Sequence, residues 1–184
     1  MALGYVETLI ASTENGAARV VAAAATMLPA SAIRTLPANY FDFVGKQVLI
    51  KASGRISSVI TTPGTARFDV RLGGTVVFDG LAILLDTVAG HTNVGWDLEI
   101  LLSCRAIGAT ANFFGIGKWT CEDILGVPAT APKGVLVAIL PWNAAPAVGG
   151  NFDSTISQAV DVQFTQTVAS GSLTCHTYGL YGLN

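Results

Sequence analysis

The sequence predicts an all-β chain, a jelly-roll β-sandwich of about ten antiparallel strands, and three observations lead there. Period-two hydrophobicity recurs along most of the 184 residues. One run, Trp96, Leu98, Ile100, Leu102, Cys104 and Ala106, is a long one-sided apolar row, with Asp97, Glu99, Ser103 and Arg105 facing the other way. The runs follow one another at short, regular intervals, with Gly, Pro, Asn and Thr between them, as the strands of a sandwich do.

Taken in order, Tyr5 to Ser12 reads as a strand followed by the Asn15-Gly16 turn signal. Ala22 to Ala25 is a run of high helix propensity. Residues 1–35 are expected to form N-terminal strands or a docking arm, and 36–184 the jelly roll, within a single domain. From Lys46 onward the period is two, with Val48, Ile50 and Ala52 alternating imperfectly with their neighbours.

The stretch from Ala66 to Gly80, ARFDVRLGGTVVFDG, is a hairpin with two possible closures. A two-residue turn on Gly73 and Gly74 sets Val70 opposite Val77 and Asp69 opposite Phe78. A three-residue loop, Leu72 to Gly74, sets Phe68 opposite Phe78 and Val70 opposite Val76. The second gathers the apolar residues on one face, and burial of one face normally fixes register, so the three-residue loop is expected. The other face then carries Asp69, Arg71, Thr75 and an exposed Val77.

Gly108 to Thr110 turns the Trp96 strand into Ala111 to Cys121. That hairpin leaves Cys104 and Cys121 about seven positions out of register, on the order of 20 Å and too far for a disulfide. Val135 to Leu140 is apolar throughout, which predicts a strand buried on both faces, and Pro141 ends it. Val160, Val162 and Phe164 alternate with Asp161, Gln163 and Thr165. Ser170 to Ser172 is a turn, and Leu173 to Leu183 is the final strand.

Composition narrows the function. Charged residues are 12% and hydrophobic residues 51%, and the mean hydropathy is +0.55. About half the usual share of charge implies either a membrane protein or a surface covered by other copies or other proteins. The charge-free runs, Val20 to Ile33, Gly134 to Phe152 and Val162 to Asn184, are broken by proline, glycine or polar residues, so none is a continuous apolar span of about 20 residues. Glu7 and Glu14 before the Val20 to Leu28 run argue against a signal peptide, and a protein made in a cytoplasm is expected. A net charge of −2 with scattered Lys and Arg argues against nucleic acid. Cys104, Cys121 and Cys175 suggest neither a disulfide framework nor a zinc site, and read as reduced core residues.

No catalytic, cofactor or metal motif emerges. Gly115-Ile116-Gly117-Lys118 lacks the earlier glycine and the following Ser or Thr of a phosphate loop, having Asn112 and Trp119 there, and reads as a bent strand. Cys175 and His176 are neighbours on a strand, point to opposite faces and form no dyad. His91 reads as solvated. Asp79, Asp86, Asp97, Glu99, Glu122 and Asp123 show no calcium-loop spacing and no paired-carboxylate pattern. Trp142, in Pro141-Trp142-Asn143-Ala144-Ala145-Pro146, either caps the end of the sandwich or anchors a sugar or protein partner.

The segments LPANYFDFVGKQVLIKASGRISS, TARFDVRLGGTVVF, NVGWDLEILLSCRAIG and FDSTISQAVDVQFTQTVASGSLTCHTYGLYGLN resemble small structural proteins encoded beside the head genes of tailed bacteriophages. The likeness covers most of the chain from Leu36 to Asn184. It implies a jelly-roll decoration or cement protein that sits as a homotrimer on the outer capsid, with the major capsid protein as partner, no cofactor and no enzymatic activity. The 23 charge-free C-terminal residues can pair across an interface without desolvating a full charge. Trp142, His176, Tyr178 and Leu180 are the expected contact residues. Two other classes remain: a tail or receptor-binding component gripping carbohydrate, for which Trp142 with Asn143 is the candidate, and a hydrolase, which needs a cleft of perturbed titratable groups.

Overall fold

The chain folds as an antiparallel β-sandwich in the computed structural model, which describes residues 6–60, 62–125 and 135–183. The strands are β1 (Val6–Ser12), β2 (Ala25–Thr26), β3 (Arg34–Leu36), β4 (Gln47–Ser58), β5 (Thr65–Leu72), β6 (Thr75–Asp79), β7 (Ile83–Leu84), β8 (His91–Ala106), β9 (Asn112–Leu125), β10 (Val135–Leu140), β11 (Gln158–Gln166) and β12 (Ser172–Leu183). One sheet has the order β1-β12-β4-β8-β9-β10. The other has β2-β11-β5-β6, with β3 also beside β11 and β7 beside β5.

The alternating row on β8 is the spine of the first sheet. Trp96, Leu98, Ile100, Leu102 and Cys104 are all buried, while Asp97 and Arg105 face solvent. In the second sheet Val160, Val162 and Phe164 of β11 point inward in the same way. The two layers meet at Phe68 of β5, whose ring lies 4.9 Å from Trp119, 5.7 Å from Trp96 and 5.2 Å from Phe164. Aromatic pairs of this kind contribute about 0.5–1.5 kcal/mol each beyond the area they bury. A second cluster, Phe41, Phe113 and Phe152, fills one end of the sandwich.

The alanine run forms no helix. Residues 21–23 are bends, and Ala25 and Thr26 pair with Phe164 and Gln163 of β11. A single 3-10 turn follows at Ala30–Ala32. Four alanines are too few to pay for helix nucleation, so the pairing offered by β11 decides their conformation. Nor does Asn15-Gly16 close a hairpin: the chain continues beside β12, with Gly16 N–H donating to Cys175 O at 2.9 Å and Arg19 bridging Leu173. The first 35 residues thus contribute strands to both sheets.

The β5–β6 hairpin corrects the expected register. Its turn is the two-residue one, with Leu72 opposite Thr75 and Gly73 at φ 58°. A bulge then moves the ladder by one, so that Val70 faces Phe78 and Asp69 faces Asp79. The bulge meets the same demand that the three-residue loop was expected to meet, Phe78 packing inward, without enlarging the turn. Val77 is also buried rather than exposed, because the connector at Gly149 passes over it. The outward charge is present as ion pairs: Arg67 with Asp79 at 2.7 Å and Arg71 with the buried Asp69 at 2.9 Å.

β10 is the other correction. It is an edge strand, paired with β9 alone in its sheet, and its side chains alternate: Ala138 and Leu140 are buried, whereas Val137 is 41% and Ile139 54% exposed. An uninterrupted apolar run reads as doubly buried, but here one face of the strand has no covering layer among the described residues.

Candidate functional site

The expected contact residues fall into two groups. Tyr178 and Leu180 lie in the core, 3% and 0% exposed, so neither is a surface contact. The reason is a β-bulge between Cys175 and Thr177, which leaves His176 unpaired and keeps both Cys175 and Tyr178 inward. The outward positions of this strand are therefore Thr177, Gly179 and Tyr181. His176 sits on the surface with Nδ1 2.6 Å from Asn15 Oδ1. Trp142 is partly buried against the core, and its backbone N–H donates to Gly80 O at 2.9 Å.

The chemical candidates are likewise placed. Gly115 to Lys118 lies within β9, where Gly115 packs against Phe78 and Leu102, and Gly117 against Ile100 and Leu140. A methyl group at Gly115 would collide with Phe78 across the sandwich, whereas one at Gly117 would be tightly packed, 3.0 Å from the Ile100 side chain across the sheet. The three cysteines are buried and none is in a disulfide. Cys175 donates to Thr177 O at 3.2 Å, and burial pushes its thiol up to about 11, so it has no thiolate to offer beside His176. Cys121 lies opposite Trp96 and Cys104 opposite Phe113, far apart along the same hairpin.

His91 is not solvated. Its Nε2 lies 3.2 Å from Asp86 Oδ2 with only 13% of its side chain exposed. Asp86 also accepts the N–H groups of Val88 and Ala89. Burial of Asp86 favours its neutral acid, but the two backbone donors and His91 outweigh this and hold its carboxyl below the ordinary range. The unit ties down the loop before β8. Asp79 pairs with Arg67 and Glu99 with Lys51, while the side chain of Asp123 lies outside the described residues. Among the described residues no three His, Cys, Asp or Glu side chains are grouped to hold a metal.

One polar grouping went unread in the sequence because it is assembled from four strands. On the outer face of the first sheet, Ser12, Lys51, Ser53, Asp97, Thr177 and Tyr181 line a cleft of about 220 Å³. Gly179 forms its floor, and a methyl group there would come within 2.5 Å of the Tyr181 hydroxyl, so the ring lies over the glycine. Ser53 and Thr177 share a hydrogen bond. Glu99, 3.0 Å from Lys51, holds the ammonium above its ordinary value, with Asp97 and Tyr181 adding to the effect. An aromatic ring beside ions and hydroxyls is the surface chemistry that a sugar ring accepts. The signal available in sequence was Gly179-Leu180-Tyr181, a glycine two positions from an aromatic on one strand face.

The other end of the same outer face mixes apolar and charged groups. Ile116 of β9, 40% exposed, stands opposite Leu101 of β8 and diagonal to Ile139 of β10, whose direct partner is Lys118, itself opposite Glu99.

No family model matches this chain, and no curated protein sequence matches it. Among solved structures, the CBM2 module of Lactobacillus casei BL23 phage J-1 evolved Dit is similar over 83% of this chain and 68% of that one, with 9% identity and a TM-score of 0.32, a level at which two chains need not share a topology.

Proposed function

We propose that this chain is a structural protein of a tailed-bacteriophage virion, a decoration protein that binds the outer surface of the assembled head as a trimer and stabilises it. The observation that carries the reading is the set of outward apolar side chains, Leu101, Ile116, Val137 and Ile139, on one face of a chain with 12% charged residues. Clustered apolar side chains on one sheet face fit permanent coverage by protein better than solvent. The sequence resemblance supplies the kind of assembly. Linkage supplies the mechanism: a protein that binds only the closed lattice lowers its free energy relative to open or broken states, and several contacts per trimer multiply the effect.

The test is add-back. Particles lacking the protein should assemble but rupture at lower temperature, and purified protein should restore their resistance and saturate at a fixed copy number. The second reading, a tail or receptor-binding component, draws on the Tyr181 cleft with Asp97 and Lys51. Undecorated heads that are equally robust, with the protein at the tail tip bound to host glycan, would replace the first reading with the second.

A further inference from the structure

We infer that copies of this chain join through the two open edges of the six-stranded sheet, β10 of one copy pairing antiparallel with β1 of the next. The inference rests on the trimer proposed above and names its contact surfaces.

Edge strands expose unpaired N–H and C=O groups, and soluble proteins blunt them with charge, proline, bulges or cover. Val135 to Leu140 of β10 holds neither charge nor proline, and its ladder with β9 is irregular at its start, between Val135 and Val137, leaving Val137 to Leu140 in even register. Among the described residues, only β9 pairs with it. Its outward side chains, Val137 at 41% and Ile139 at 54% exposed, lie on the same sheet face as Ile116 and Leu101, with Thr120 and Lys118 as their ladder partners on β9.

The edges of the second sheet offer less. Beside β6, the connector is already in place, with Gly150 N–H donating to Val76 O at 3.2 Å. β2 and β3, at the far side, are two and three residues long. Among the described residues the long edges with a single neighbour are therefore β10 and, at the other end of the same sheet, β1, six and seven residues respectively; β1 carries Glu7 and a register shift between Thr8 and Ile10.

These two match. Every neighbouring pair in the six-stranded sheet is antiparallel, so its first and last strands run in opposite directions. Setting β1 of a second copy beside β10 continues the alternation and keeps the outer faces of both copies on the same side. Val6, 65% exposed and opposite Leu183 in the ladder, then comes beside the Val137 and Ile139 flank. Each seam is about 20 Å of new ladder at roughly 3.3 Å per residue, and each copy contributes to two seams. A head-to-tail contact of this kind is what an odd-numbered ring requires, whereas β10 against β10 about a twofold axis closes at two.

The experiment is light scattering coupled to size exclusion on the wild-type chain and on Val137→Lys/Ile139→Lys, with circular dichroism and thermal melting as the check on folding. Both positions already face solvent, so the double variant should keep its fold while dropping from three chains to one. Val6→Lys, at the other end of the sheet, should have the same effect and stands in if the double variant fails to fold. A trimer that survives folded lysine variants overturns the edge pairing and leaves the trimer standing. A wild-type dimer overturns the head-to-tail arrangement. A wild-type monomer at micromolar concentration overturns both the pairing and the trimer.

Discussion

Gly115 of β9 lies directly against the ring of Phe78 in β6, so close that a methyl group there would stand 2.3 Å from Phe78 Cδ2. The contact joins the two sheets, and the bulge that turns Phe78 inward makes it possible. Gly115→Ala would force the ring, or the Leu102 side chain 3.0 Å away, out of place. Overpacking of this kind costs about 1–3 kcal/mol, and a fall in Tm of several degrees should be seen by calorimetry.

Tyr178→Asp and Leu180→Asp should unfold the chain itself rather than separate folded subunits, since each would place an uncompensated charge in the core. A loss of several kcal/mol, read as aggregation or loss of the cooperative melt, is expected. A folded monomer from either variant would contradict the placement of β12.

The thiols set a pH dependence. Burial pushes Cys175 up to about 11 from an ordinary 9.0 and raises Cys104 as well. The folded chain therefore holds these protons more tightly than the unfolded chain. Their contribution is complete below pH 9 and is lost as pH rises from 9 through about 11, by roughly 3 kcal/mol for Cys175. Denaturant melts across that range should show the decline, and Cys175→Ala should flatten it at the cost of a small cavity. In the native protein at pH 8, none of the three cysteines should react with a thiol reagent faster than the chain opens.

Asp86 acts at the opposite end of the scale. Its carboxyl titrates below the ordinary 3.8, so its stabilisation is present above that value and is lost as pH falls through the lower folded value. Asp86→Ala should cost about 1–3 kcal/mol by leaving the Val88 and Ala89 donors without their acceptor. Hydrogen exchange should locate the effect, with those two amides accelerating before the β8 ladder does.

Much of this was legible in the residue order because burial on one face imposes a period that a single strand can display. The rows on β8 and β11 need no information from elsewhere in the chain, and neither does the separation of Cys104 from Cys121. The helix propensity of Ala22 to Ala25 misled for the opposite reason: a local preference of a few residues yields to pairing with a distant strand. His91 read as solvated because its partner, Asp86, is recruited by a loop geometry that spacing does not reveal.

By itself, then, the sequence determined a charge-poor sandwich of antiparallel strands with reduced cysteines, since composition and period two are properties of the chain taken in order. Tertiary structure alone decided which side chains of those strands reach the surface. A one-residue bulge reverses the facing of everything beyond it, as at His176, and so placed Tyr178 and Leu180 inside. An apolar strand reads alike whether flanked by one neighbour or two, so only the assembled sheet could put Val137 and Ile139 at an open edge. The Tyr181 cleft, drawn from β1, β4, β8 and β12, exists only once strands distant in sequence lie side by side.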